Sequence, residues 1–200
     1  MVDVTPRKTP RQQRSREMDG FILEAAARIL EEKGPEGFNT NRIAERAGIS
    51  VGSLYQYYPN KAALLFRLQE RENSATLDRV ETCLCDGSRS HRDRLCDAVQ
   101  AFFESEAAES PLRKGLQQAH IHFRHTPVFV EIEERALIMI RRFLAEARPD
   151  RTGNDEFEAQ LLLIVLSSVA ECLTERGMTG RELRHWADAC AAMLANHIQL

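Results

Sequence analysis

No stretch of these 200 residues alternates apolar and polar side chains at a period of two, so the half-buried strands of a sheet are missing. Long apolar runs are missing too. The longest purely aliphatic one, Leu161 to Leu166, stops at Ser167-Ser168, well short of the ~20 residues that span a bilayer. Arg and Lys near the N-terminus are not followed by an apolar segment, which argues against a secretory leader. Cysteine is sparse and odd in number: Cys83, Cys85, Cys96, Cys172 and Cys190 favour reduced thiols over a disulfide framework. These absences predict a soluble, cytoplasmic protein with no membrane partner.

What is present is helical periodicity. Phe21, Ile22, Ala25, Ala26, Ile29 and Leu30 make one apolar stripe on a helix from about Ser15 to Lys33, stopped by Gly34-Pro35. A long helix is expected from Lys61 towards Leu84, broken by Asp86-Gly87. Ser90 to Asp93 reads as a capping box for the next one, as does Thr179 to Glu182 for the last. Ser110-Pro111 and Thr126-Pro127 start helices over roughly 111–123 and 127–148. Two further long helices cover about 155–176 and 180–198. All seven prolines fall outside helix interiors, and the chain is predicted to be all-α with about nine helices.

The net charge of −3 hides an asymmetry. Residues 1–71 hold 12 Lys and Arg against 9 Asp and Glu; the remainder holds 15 against 21. A cationic head on an anionic body suits a protein that offers one face to phosphates. Residues 1–14, with Arg7, Lys8, Arg11 and Arg14, read as a solvated tail that becomes a basic arm on DNA.

The densest pattern runs from Phe38 to Lys61. Thr40 is expected to cap a short helix whose inner side is Ile43, Ala44 and Ala47. Gly48 supplies the left-handed residue that ends it, and Ser50 caps a second helix, Val51 to Tyr58. Leu54 and Tyr58 face inward together. Val51, Ser53, Gln56 and Tyr57 face outward, with Tyr55 at the edge. Ser and Gln can read base edges and Val can touch a thymine methyl, whereas Tyr55, Tyr57 and Lys61 suit phosphate oxygens. A helix, a tight glycine turn and a second helix make the helix-turn-helix that enters the major groove.

The pattern T-x-x-x-I-A-x-x-A-G-I-S-x-G-x-L-Y-x-Y-Y-x-x-K resembles the DNA-binding signature of the TetR family of bacterial transcriptional regulators. It spans roughly the first third of the chain; Tyr58 stands where the family often has Phe. The resemblance implies that Thr40, Ser53, Tyr55, Tyr57 and Lys61 contact DNA. It implies division into an arm and DNA-binding domain, 1–60, and an effector-binding and dimerisation domain, 61–200.

Leu161 to Leu166 is apolar all round, so its helix needs cover on two sides. The domain's own core supplies one. A second copy supplies the other, since a helix-turn-helix protein reads two half-sites about 34–36 Å apart. The expected homodimer contacts are Leu161, Ile164, Val165, Ser168, Trp186, Ala189 and Met193. By the resemblance, the middle helices enclose an apolar pocket for a small, mainly hydrophobic effector, with Phe103, His122 and Phe143 as candidate lining residues.

Sharper chemistries are weaker here. Gly48 to Gly52 satisfies G-x-S-x-G, but a nucleophile elbow needs a strand before it, and helical periodicity precedes Ser50. His122 and His125 lie about 60° apart on a helix while His120 points nearly opposite, so no three-ligand metal site is expected. Cys83, Cys85 and Cys96 read as ordinary thiols. The prediction is therefore a dimeric transcriptional repressor without catalytic activity or cofactor, binding a palindromic double-stranded operator. The alternatives are an all-α small-molecule binder without operator binding and a serine hydrolase using Ser50.

Overall fold

The computed structural model describes residues 13–119, 126–149 and 155–200. Among them are nine helices and no strand: α1 (Gln13–Gly37), α2 (Thr40–Arg46), α3 (Val51–Tyr57), α4 (Lys61–Leu84), α5 (His91–Ala108), α6 (Ser110–Gln118), α7 (Pro127–Ala147), α8 (Asp155–Glu175) and α9 (Gly180–His197). The all-α expectation and most helix starts hold. Residues 1–12 of the arm expected at 1–14, and His120, His122 and His125, lie outside the described residues, and α1 begins at Gln13.

Packing divides the chain into two compact units within α4. The first takes α1 to α3, α4 as far as Glu72, and α6 from Pro111; the second takes α4 from Asn73 with α5, α7, α8 and α9. This packing boundary, after Glu72, lies beyond the 60/61 division expected from the sequence.

In the first unit, Ile22, Ala26, Ile29 and Leu30 of α1 are buried, as are Phe38, Ile43, Leu54 and Leu64. Phe21 is a correction: it is 62% exposed, and Leu23 is buried in its stead. Helix α1 breaks at Gly34, whose φ of 64° only glycine adopts cheaply, and Pro35 then opens a short final turn. Helix α6 belongs here as well. A Cβ on Gly115 would lie 3.2 Å from Leu65 Cδ2, and Gln118 Nε2 donates to Glu36 Oε1 at 2.7 Å.

The second unit is built on a larger apolar core that includes Leu84, Val99, Phe103, Leu144, Leu162, Leu173, Leu183, Ala191 and Ile198. Ser90 caps α5 as expected, its Oγ accepting from Asp93 N at 3.1 Å. Thr179 does not cap α9 through its side chain, so that capping box is not made. Helix α8 is long and apolar enough to cross a membrane by length and composition, and only 33% of its most apolar window is buried. Ala159, Leu162, Ala170 and Leu173 pack inward, while Phe157 and Ile164 stay outside.

Candidate nucleic-acid interface and effector cavity

Asn39, not Thr40, caps α2: its Oδ1 accepts from Arg42 N at 3.0 Å. The cap falls one residue early because Thr40 already adopts helical geometry, which frees its hydroxyl for another partner. That partner is Tyr55 Oη, 3.2 Å away on α3. The turn closes as a Schellman motif. Gly48, at φ 67°, donates to Glu45 O at 3.1 Å, and Ile49 N donates to Ala44 O at 3.0 Å. Ser50 then caps α3 as expected, its Oγ accepting from Ser53 N at 3.0 Å. Ser50 therefore sits between two helices, which is the wrong setting for a hydrolase elbow.

Two side chains hold α3 down. Leu54 and Tyr58 are fully buried. The Tyr58 hydroxyl, where a phenylalanine would need no partner, donates to Asp19 Oδ1 at 2.5 Å. Burial, reinforced by that bond, pushes the phenol far above its ordinary pKa, so the proton stays on oxygen. With the inner face fixed, Tyr55 and Gln56 are exposed, while Thr40, Val51, Ser53, Tyr57 and Lys61 are half-buried. Ser53 Oγ lies 2.8 Å from Ser50 Oγ. Lys61 Nζ donates to Pro35 O at 3.0 Å and lies 5.7 Å from the centroid of the Phe38 ring. The seven predicted DNA-facing residues thus lie on or beside one short turn-helix unit, with hydroxyls and an amide outermost.

A cavity of ≈ 70 Å³ lies inside the second unit. Its wall is wholly apolar: Leu77, Val80 and Leu84 of α4, Leu95, Ala98, Val99 and Phe102 of α5, Ala136, Met139, Ile140 and Phe143 of α7, and Leu162, Leu163 and Leu166 of α8. Of the three candidate lining residues, Phe143 is there. Phe103 is fully buried and is not among the lining residues, whereas its neighbour Phe102 is. His122 lies outside the described residues. Nothing in hydrophobic periodicity tells a filled core from a hollow one.

Behind Phe143 lies a buried cation. Arg94 is 3% exposed, and its guanidinium lies 5.4 Å from the Phe143 ring centroid. Arg94 Nε donates to Leu84 O, the last residue of α4, at 2.6 Å, and Nη1 donates to Glu146 Oε1 at 2.7 Å. Those bonds hold the Glu146 carboxyl down at about 2, Arg94 contributing most and His91 less. Arg135 and Arg142 of α7 add exposed pairs to Asp78 and Glu81 of α4.

On α8 and α9 the predicted contact residues form an exposed stripe. Ile164 is 62% exposed, Trp186 45% and Met193 54%; Ser168 and Ala189 are exposed, and Leu161 and Val165 half-buried. Phe157, one turn before Leu161, extends the stripe and was missed although its i−4 spacing was readable. The described residues contain no group of three His, Cys, Asp or Glu placed to hold a metal. Burial pushes the Cys83, Cys96 and Cys190 thiols upward, away from reactive thiolates.

Comparison with known proteins follows the same division. Residues 22–68 match the family model described as bacterial regulatory proteins of the tetR family. The chain is 32% identical over 88 residues to the HTH-type transcriptional activator FasR of Mycolicibacterium smegmatis, covering 44% of this chain and 40% of the relative. It is 30% identical over 107 residues to the fatty acid metabolism regulator protein of Bacillus subtilis, covering 52% and 55%. The chain thus spans about half the length of these curated relatives. The fold is shared more widely. The Bacillus subtilis regulator FadR in complex with stearoyl-CoA superposes with a TM-score of 0.66 at 18% identity, over 88% of this chain and 97% of that one. The TetR-family regulator PfmR of Thermus thermophilus gives 0.62 at 18%, with the same coverage. At such identities the likeness speaks for the fold alone; it is residues 22–68, which hold the helix-turn-helix, that are similar to the tetR family of bacterial regulatory proteins.

Proposed function

We propose that the protein is a cytoplasmic, homodimeric, DNA-binding transcriptional regulator, a repressor released from a palindromic operator by a small, mainly hydrophobic effector. The observation that carries this reading is α3: pinned from behind by Leu54 and Tyr58, it turns Ser53, Tyr55 and Gln56 outward. A seven-residue helix so displayed has little apolar surface to offer a protein partner but the right groups for base edges and phosphates. Residues 1–60 are assigned to DNA. Thr40, Tyr55, Tyr57 and Lys61 position the module on phosphates, and Val51, Ser53 and Gln56 read sequence.

Residues 61–200 are assigned to effector and partner. The stripe of Phe157, Leu161, Ile164, Trp186 and Met193 is covered by a second copy, which also accounts for the apolarity of α8 without a membrane. The cavity supports a hydrocarbon-rich effector because its wall has no charged group to meet a polar one. At ≈ 70 Å³ it must open to admit a long chain, and α4, which forms one wall, then moves with it. An effector releases DNA only by binding better to the conformation with the wrong half-site spacing. Relatives with fatty-acid names, and a neighbour solved with stearoyl-CoA, make acyl compounds the first class to try.

The test is selection of genomic fragments by the purified protein, followed by a screen for release by fatty acids and acyl thioesters. A palindromic consensus, lost on adding one of these, is expected. No enriched sequence would instead favour a small-molecule binder without operator binding.

A further inference from the structure

Ser50 serves Ser53 in two ways. Its Oγ accepts the Ser53 N–H at 3.0 Å and also lies 2.8 Å from the Ser53 Oγ. Two hydroxyls at that distance share one proton, which either oxygen can supply. The choice decides what Ser53 offers outward: lone pairs alone if it donates to Ser50, its own proton if Ser50 donates to it. The second arrangement runs head to tail, from Ser53 N–H into Ser50 Oγ, from Ser50 O–H into Ser53 Oγ, and from Ser53 O–H outward. Bonds chained in one sense polarise one another, whereas the first arrangement aims two donors at one oxygen. The cap of α5 has the same sense. There Ser90 Oγ accepts Asp93 N–H at 3.1 Å and donates to Asp93 Oδ2 at 2.8 Å, since a carboxylate has no proton to give. Ser53 occupies the place of that carboxylate, three residues after the cap, but can pass the proton on.

Resting on the DNA-binding reading above, we infer that Ser50 is a specificity-positioning residue: it holds the Ser53 hydroxyl as an outward donor. The operator base in front of Ser53 then presents a major-groove acceptor, as guanine, thymine and adenine do. Cytosine, which shows only its N4 amine there, is disfavoured.

Enrichment of a random-duplex library by the full-length protein and its variants tests this. The wild type should deplete cytosine about 3- to 10-fold at one position of each half-site, the scale of one hydrogen bond. Ser53→Ala should abolish the depletion. Ser50→Thr, which keeps both cap and donor, should retain it. Ser50→Asp caps the helix but has no proton to give, so Ser53 turns its proton inward and the preference should swing to the amine-bearing cytosine or adenine. The added charge weakens binding to every sequence, which leaves base preference as the readout. An unchanged preference in Ser50→Asp overturns the proposal and reduces Ser50 to a helix cap. An unchanged preference in Ser53→Ala also overturns it, while the regulator reading survives. A wild type that enriches no sequence overturns the DNA-binding reading and the proposal together.

Discussion

The outward faces of the two units are opposites. On α3 hydroxyls and an amide lie outside and leucine lies beneath; on α8 and α9 isoleucine, tryptophan and methionine lie outside and alanine and leucine lie beneath as well. A helix packed on one side needs only one apolar face, so the second face of α8 is surplus to folding this chain. Surplus apolar surface calls for another surface, whereas surplus polar surface is content in water until a groove replaces it. On the proposed reading, the first unit suits a transient, hydrated partner and the second a lasting one.

The largest effect should come from reversing the character of the apolar face. Ile164→Lys would place a charge in a two-fold contact twice over, at a cost of at least about 3 kcal/mol for each buried, unpaired ammonium. Because Ile164 is 62% exposed in the single chain, helical content should not change. Sedimentation should show monomers in place of dimers, and operator affinity should fall more than about 100-fold with the loss of paired half-sites. A variant that stays dimeric would move the interface elsewhere.

On the polar face the effects are smaller and differ in kind. Gln56→Ala should cost about 1–3 kcal/mol on the preferred operator and relax the choice at one base pair. Lys61→Ala should weaken binding by about 1 kcal/mol on all sequences and lower the salt slope by about one. Because Lys61 Nζ also donates to Pro35 O, its loss should lower the melting temperature too. Fluorescence anisotropy at several salt concentrations separates the two. Equal losses of preference would end the division between positioning and reading.

The polar face was the more legible of the two in sequence, and the reason is local. Gly48, Ser50, Leu54 and Tyr58 act within ten residues of one another, through bonds that capping and turn rules describe. Even there, Asn39 took the cap from Thr40, because both residues suit it and only the start of the backbone helix decides. The stripe on α8 and α9 was readable from spacing, Phe157 included, although that residue was missed. The cavity was not. Whether Phe102 or Phe103 faces it depends on how α5 is rotated against α7 and α8, which is settled by the sum of many long-range contacts. The same holds for α6, whose place in the first unit rests on Gly115 letting Leu65 approach.

A buried polar clasp in each unit sharpens the comparison from inside. Tyr58→Phe deletes the donor to Asp19 and leaves the carboxylate without it, so urea unfolding should report a loss of about 1–2 kcal/mol. Since the Tyr58 proton is held well beyond the ordinary phenol range, this loss should be the same from pH 6 to 9.

The clasp of the second unit should respond to pH instead. Glu146 is held at about 2, below its ordinary 4.5, chiefly by Arg94. A carboxyl depressed in the folded state stabilises above its unfolded pKa, and that contribution disappears as pH falls through the folded value. Stability tied to Glu146 is thus fully present above pH 4.5 and should be lost between about 4.5 and 2. The effect is the smallest of the five, because Glu146 is itself half in water and its pairing is screened there. Glu146→Gln should flatten this part of the acid limb while keeping an acceptor for Arg94, and the comparison of the two proteins by thermal melts at pH 6 and pH 3 isolates it. An acid limb unchanged in Glu146→Gln would mean that Arg94 is held by Leu84 O alone, and that the tie between α5 and α7 contributes nothing to the second unit.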